Sequence, residues 1–349
     1  MVLRKAIPTI RDVAAAAGVS VTTVSRVLNE RSDVSADTAL RVQQVIEDLG
    51  FQSSLAARSL RSHRKHVIGL IVPDMDHTYA VEVIKAAGRA ITDTHYDLVA
   101  MATGSTSLED RRRWEQQQVS RLNGVLTDGV VVVVPSGSAY RTHYPLVALD
   151  PSPETADYPS VIADNYMGGL QAMRHLIGLG HRRIGYIGGI EIRESAVQRK
   201  QAWHDALAEA GIPIAKELAQ PGDFARGSGA AAMRYFLALA QPPTAVFAAN
   251  DEIAFGVMEV ARSAGLVIPK DLSLVGFDNV PEAASTHPGL TTVDQGIEES
   301  VRAAFRMLID LIDGRAPEHH RVIIPTRLIV RESCAPPRRA SGKEEAIRP

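Results

Sequence analysis

Four polar residues close four apolar runs. Asp74 follows VIGLIVP (67–73), Asp150 ends LVALD (146–150), Asn250 ends TAVFAAN (244–250) and Asp278 ends LSLVGFD (272–278). Runs of this length and composition suit strands buried on both faces. In open α/β sheets, ligands sit in the crevice outside the carboxyl ends of such strands. Arg199, on a helical stretch after RIGYIGG (183–189), adds a cation. Carboxylates accept the hydroxyl hydrogens of a diol, and a guanidinium donates a planar fork to oxygens. The chemistry is non-covalent recognition of a polyhydroxylated small molecule. Each of these residues could instead satisfy a strand end or a helix start, and Asp251 reads as the cap of the helix that follows it.

A second set lies near the N-terminus. Val21, Thr22, Thr23, Ser25, Arg26 and Asn29 form the outward face of a short helix whose inward face is Val24, Val27 and Leu28. A surface of short polar side chains with one arginine can enter a major groove and touch phosphates and base edges. The same face could belong to a plain three-helix bundle and meet only solvent. No reaction chemistry accompanies either set. HExxH, GxxxxGK[ST] and GxSxG are all missing, GYIGG does not satisfy GxGxxG, and Cys334 is the only cysteine. We therefore expect no enzyme, no metal site and no cofactor. Arg111, Arg112, Arg113 and Trp114 fall within a helical stretch and read as a solvated face.

The elements that position these residues divide the chain in two. Thr9 and Asp12 resemble a capping box, and Ile10, Val13, Ala14 and Ala17 share one helical face closed by Gly18. Ser20 starts the second helix. A third opens at Ser35, carries Ala39, Val42, Ile46 and Leu49 inward, and ends at Gly50. Short helices joined by a tight glycine turn make a helix-turn-helix head over 1–50. Residues 51–66 are a Ser/Arg/Lys-rich linker. From Val67, strands and helices alternate for some 260 residues, which predicts doubly wound parallel sheets. One sheet cannot hold them all, so the body (67–335) is read as two lobes, about 67–163 with 295–323 and 164–294 with 324–335. The tail, 336–349, is read as disordered. Residues 1–66 hold ten Lys/Arg against six Asp/Glu, so this end carries +4 and the remainder −6. A basic head on an acidic body fits a DNA-contacting end. No apolar run reaches the ~18 residues of a membrane span, and no apolar stretch follows Arg4 and Lys5, so a cytoplasmic location is expected.

The stretch from Thr9 to Phe51, and above all GVSVTTVSRVLN (18–29) followed by Val34 to Thr38, resembles the DNA-binding head of the LacI/GalR repressor family. GHRRIGYIGG (180–189), AVFAANDEIAFGVM (245–258), IPKDLSLVGFDN (268–279) and LTTVDQ (290–295) extend the resemblance over nearly the whole chain. It implies a periplasmic-binding-protein-like body, a homodimer, operator DNA as one partner and a small-molecule effector as the other. By resemblance, Val21, Thr22 and Arg26 read bases, while Thr9, Thr23, Ser25 and Asn29 hold phosphates. Residues 57–60 match the family's hinge helix, with Ala57 a small contact residue and Leu60 the wedge between base steps. Ser53 stands where many relatives carry proline. The positions of Asp74, Arg199, Asn250 and Asp278 commonly contact the effector. Ser195, Phe224 and Gln295 also match contact positions, and Tyr79 stands where an aromatic is frequent. The usual PDxxNPFF text is here PDMDHTYA, so the inherited aromatic stack is altered. A sugar or sugar-like metabolite is the favoured effector, with a purine second.

The leading reading is a ligand-responsive transcriptional regulator, a repressor by class. A solute-binding protein of the periplasmic type is the alternative that the body alone would permit, and a sugar-processing α/β enzyme is the third. The hinge reading generates a prediction: Leu60→Ala reduces operator bending, measured by fluorescence energy transfer across a labelled duplex. Unchanged bending removes Leu60 from the wedge role.

Overall fold

The computed structural model describes residues 8–28, 33–51, 64–75, 77–104, 107–136, 140, 142–152 and 158–338. The chain separates into two compact units, Met1–Lys65 and His66–Pro349. Asn29, Ala57 and Leu60 lie outside the described residues.

The first unit contains α1 (Ile10–Ala17), α2 (Val21–Leu28) and α3 (Ala36–Leu49). Val13, Ala14, Ala17, Val24, Val27 and Val42 form its buried centre. Small alanines on α1 let the other helices approach closely. Gly18 and Gly50 end α1 and α3 with φ of 64° and 62°, a left-handed conformation open to glycine without Cβ strain. Leu49 departs from expectation: it is exposed, and Phe51 packs on the core instead. The Gly50 turn folds the chain back, with the Phe51 N–H donating to the Ile46 carbonyl at 3.0 Å.

The second unit is built on two six-stranded sheets of corresponding strand order. Lobe one contains β1 (Val67–Val72), β2 (Asp97–Ala102), β3 (Gly129–Val133), β4 (Leu146–Leu149), β5 (Ser160–Ala163) and β11 (Arg321–Ile324), in the order β2-β1-β3-β4-β5-β11. Lobe two contains β6 (Ile184–Ile187), β7 (Ala219–Gln220), β8 (Ala245–Ala248), β9 (Ser273–Asp278), β10 (Thr291–Asp294) and β12 (Arg327–Ile329), in the order β7-β6-β8-β9-β10-β12. Every pairing is parallel except β10 with β12. The order reverses at β1 in one sheet and β6 in the other, and such switch points open the crevice that receives ligands. The helices are α4 (Thr78–Ile91), α5 (Leu108–Leu122), α6 (Asn165–Gly178), α7 (Glu194–Glu209), α8 (Arg226–Leu237), α9 (Asp251–Ser263), α10 (Pro281–Ser285) and α11 (Ile297–Ile312). The chain crosses between lobes after β5, after β10 and after β11, which runs to Ile324.

The apolar runs singled out in the sequence all form strands; β5, β7, β10 and β12 were not foreseen. Thr291 and Thr292 of β10 are fully buried. Their hydroxyls are satisfied, Thr291 by the Arg331 N–H at 3.0 Å and Thr292 by Asp251 at 2.6 Å, so a polar sequence forms a core strand. Contrary to the expectation of disorder from 336, Arg338 pairs with Asp271 at 2.7 Å; residues 339–349 lie outside the described residues. Among the described residues no helix is long and apolar enough to cross a membrane.

Helices α8 and α9 approach through glycine. A Cβ on Gly229 would lie 2.1 Å from the Ile253 carbonyl oxygen, and one on Gly256 would lie 2.0 Å from that of Arg226. Both neighbours are backbone and cannot swing aside. Gly256→Ala should therefore force the helices apart and destabilise the body by about 1–3 kcal/mol, read as a lower thermal midpoint. An unchanged midpoint would mean that the crossing is looser than this geometry.

Candidate functional site

On the first unit, the outward face of α2 is preformed. The Ser20 hydroxyl accepts the Thr23 N–H at 3.0 Å and lies 2.9 Å from the Thr23 hydroxyl, which caps the helix and fixes its first turn. Val21 is 37% exposed, an apolar side chain left facing solvent. Thr22 is exposed and Ser25 half-buried. Arg26 pairs with Asp33 at 3.4 Å, both more than half exposed; a surface pair of this kind contributes about 0–1 kcal/mol and yields readily to a stronger partner. Thr9 is less free. Its backbone N–H and its hydroxyl both donate to the Asp12 carboxylate at 2.7 Å, which holds that carboxyl below its usual range. Contact with a phosphate through the Thr9 hydroxyl proton requires breaking that bond.

In the body, the carboxyl ends of both sheets open onto one cavity of about 430 Å³. Asp74, Tyr79, Asp150, Ser195, Arg199, Phe224, Asn250, Asp278 and Gln295 all line it. Lobe one supplies Asp74 after β1, Tyr79 from α4 and Asp150 after β4. Lobe two supplies Ser195 and Arg199 from α7, Phe224 after β7, Asn250 after β8, Asp278 at the end of β9 and Gln295 after β10.

The bonds these groups make inside the protein limit what they can offer a ligand. Arg199 is 3% exposed. Its Nε and Nη2 donate to Asn165 Oδ1 at 2.9 and 2.7 Å, and its Nη1 donates to the Ala249 carbonyl at 2.6 Å and lies 3.6 Å from Asp278 Oδ1. The guanidinium stacks on Phe277, 3.6 Å from the ring centre. Gln295 Nε2 donates to Asp278 Oδ1 at 2.6 Å. Asn250 Oδ1 caps α9 by accepting the Ile253 N–H, and its Nδ2 donates to the Phe224 carbonyl, both at 3.0 Å. The cap expected of Asp251 is thus Asn250. Asp251 is fully buried and accepts from Val280 N–H at 3.0 Å and the Thr292 hydroxyl at 2.6 Å. Asp74 Oδ1 accepts the His77 N–H at 2.9 Å, and the Ser195 hydroxyl donates weakly to Asp150 at 3.4 Å.

Burial dominates the electrostatics. It pushes the Asp278 carboxyl up to about 7, against the pull of Arg199 and with help from Asp150 and Glu252. Burial raises Asp150 as well, Arg199 and Arg193 opposing it, and raises Asp251, to which Asp278 adds. The Tyr79 phenol is pushed well up by burial and by the carboxylates of Asp150 and Asp278. Backbone strain gathers here too. Val134, Asp150, Phe224 and Asp278 have φ of 48°, 53°, 68° and 114°, and such outliers persist where surrounding structure over-determines them.

Arg111, Val134, Arg193 and Asp223 are among the cavity residues that escaped the sequence reading. Arg111 corrects the expectation of a solvated Arg111–Arg113 face. Of the three arginines only Arg113 is exposed, beside Glu109 and Asp110; Arg112 donates to the Ser136 carbonyl at 3.0 Å. Arg193 could have been noticed as a cation in the loop after an apolar strand.

The description "bacterial regulatory proteins, lacI family" matches residues 9–54, and a periplasmic binding protein-like domain matches 173–334. A transcriptional repressor named PurR from Pectobacterium carotovorum is 36% identical over 335 residues, 94% of this chain and 97% of its own. The chain belongs to the LacI family of bacterial regulatory proteins. A PurR repressor from Klebsiella pneumoniae strain 342 is 34% identical with the same coverage. Among solved structures, the Lac repressor dimer bound to operator and an anti-inducer superposes with a TM-score of 0.81 at 26% identity, covering 94% of this chain and 99% of that one. A CelR–cellobiose complex superposes with a TM-score of 0.69 at 31% identity, covering 93% and 99%. This LacI-family chain is a DNA-binding transcriptional regulator and not an enzyme. The helix-turn-helix match removes the solute-binding reading, since that reading has no place for residues 9–54.

Asp278 supplies a pH prediction. Its folded value, about 7, lies above the ordinary 3.8, so the folded state binds the extra proton between those values. Stability from this group is therefore full below about pH 4 and is lost as pH rises toward 7. The thermal midpoint of the wild type should fall more steeply between pH 5 and pH 8 than that of Asp278→Asn. Parallel curves would mean that Asp278 is ionised throughout.

Proposed function

We propose that this regulator acts as a homodimer on a pseudo-palindromic operator, in the cytoplasm, with its DNA grip set by a small molecule held between the two lobes of the body. Residues 1–50 are the DNA-binding head, 51–66 the hinge and 67–335 the effector-binding and dimerising body. Val21, Thr22 and Arg26 read base edges, Arg26 through a bidentate pair with guanine. Thr23, Ser25 and Asn29 hold phosphates, and Thr9 joins them once its bond to Asp12 is exchanged. Ala57 and Leu60 belong to the hinge that enters the minor groove.

The observation that carries the effector reading is the convergence of nine polar and aromatic residues from both lobes on one cavity. Asp150 and Asp278 accept hydroxyl hydrogens, Tyr79 and Phe224 offer ring faces, and Asp74, Ser195, Asn250 and Gln295 complete the wall. Arg199 is chiefly the brace of this wall, with its remaining donor capacity turned to the ligand. This donor and acceptor set favours a sugar or sugar-like molecule. The Lac repressor bound to operator and the CelR–cellobiose complex lend support as relatives seen with DNA and with a sugar.

Two measurements check the reading. Thermal unfolding against sugars and nucleobases should single out one class, since a ligand at 100 times its Kd stabilises by about 2.7 kcal/mol; a flat response across the panel would count against a sensing cavity. Arg26→Ala should weaken binding by about 1–3 kcal/mol only at operators bearing its base pair. Uniform weakening over all sequences would make Arg26 a phosphate contact.

A further inference from the structure

The cavity holds one side chain whose donors the protein leaves half used. Arg193, just before α7, is 3% exposed. Its Nη1 reaches into lobe one and donates to the carbonyls of Val134, at 3.0 Å, and Pro135, at 2.7 Å. Its Nε and Nη2 are buried with no hydrogen-bond partner among the described residues. These two nitrogens form one edge of the guanidinium, and their parallel N–H bonds match the two oxygens of a carboxylate or phosphate. Buried donors without partners are rare in folded proteins and call for an explanation, such as a water, an ion or a ligand group that they receive.

The edge is also held in place. Two carbonyls fix the plane of the guanidinium. One belongs to Val134, whose φ of 48° is a genuine outlier for a β-branched residue. Asp150 and Glu115 are close enough to act on the Arg193 charge, yet neither occupies the free edge. Glu115 Oε2 is taken by the Ser136 N–H at 2.8 Å and the Tyr140 hydroxyl at 2.9 Å, while its Oε1 is buried without a hydrogen-bond partner among the described residues. Burial shifts Asp150 toward its neutral form, which lessens its repulsion of an incoming anion. Arg111 lines the same cavity and adds a further positive charge. Arg199 differs from Arg193, because Asn165, Ala249 and Asp278 already engage its nitrogens.

We infer that the effector carries an oxyanion, a carboxylate or a phosphate, seated on the Nε–Nη2 edge of Arg193, on a polyhydroxylated body whose hydroxyls meet Asp150 and Asp278. This rests on the cavity being the effector site. Neutral sugars would leave the Arg193 edge unmatched and so bind more weakly.

The test is thermal unfolding of the full chain with glucuronate, galacturonate and glucose 6-phosphate, each against its neutral parent, glucose or galactose, at matched ionic strength. At least one acidic sugar should raise the midpoint, with an apparent Kd about tenfold or more below that of its parent, as a charge-assisted bond implies. In Arg193→Met that preference should vanish, and in Arg193→Lys, which keeps the charge without the fork, it should shrink. A neutral parent that stabilises as well as its acid overturns the inference and leaves the cavity as an effector site. No stabilisation by any of the five sugars overturns both. An acid preference that survives in Arg193→Met also overturns the inference. If that variant does not fold, the wild-type comparison of acid with parent decides alone.

Discussion

A buried arginine must have its charge answered, and the floor of the cavity is arranged around that requirement at Arg199. Removing a guanidinium from water is costly unless nearly every N–H finds an acceptor. Asn165 supplies one oxygen to two nitrogens, the Ala249 carbonyl takes a third bond, Asp278 stands 3.6 Å away and Phe277 lies under the plane. Those partners come from three elements: Asn165 from the start of α6, Ala249 from just past β8, Phe277 and Asp278 from the end of β9. The brace thus holds the switch point of lobe two together. It also orients Asp278, which in turn receives Gln295.

Lobe one meets this floor through few bonds, and they are polar. Thr78 donates to Glu252 at 2.5 Å, Ser195 reaches Asp150 at 3.4 Å, Arg193 reaches two carbonyls at the end of β3, and Arg321 pairs with Glu194. Polar interfaces of this kind permit lobes to move relative to one another. A ligand that bridges Arg193 and Asp278 on one side and Asp150 on the other adds bonds only when the lobes are closed. Its binding energy then favours the closed arrangement by the difference in affinity between the two states. Hinge-like closure is a recurring route from ligand to distant response.

Much of this organisation is legible in the sequence because its signals are local. Strand-terminal Asp74, Asp150, Asn250 and Asp278 could be placed because the apolar runs before them are unambiguous, and the helices after them follow from apolar spacing. What escaped depends on tertiary contact. TTVD forms a buried strand only because Asp251 and Arg331 satisfy its threonines. Asn250 and Asp251 are both good caps by type, and only the approach of Val280 and Thr292 assigns Asp251 elsewhere. Arg193 and Arg111 look like ordinary surface cations until α5, α7 and the end of β3 enclose them. Leu49 follows the helical period yet faces solvent, because the glycine after it brings Phe51 to the core.

Coupling between the cavity and DNA is reciprocal by thermodynamic necessity. The most direct test is therefore one cycle: operator affinity by fluorescence anisotropy with and without a saturating stabilising sugar, and sugar affinity by calorimetry with and without operator duplex. Both legs should change by the same factor, typically about 5–150-fold, in whichever direction the sugar acts. Operator affinity and sugar affinity that are each indifferent to the other ligand would contradict a regulator controlled through this cavity.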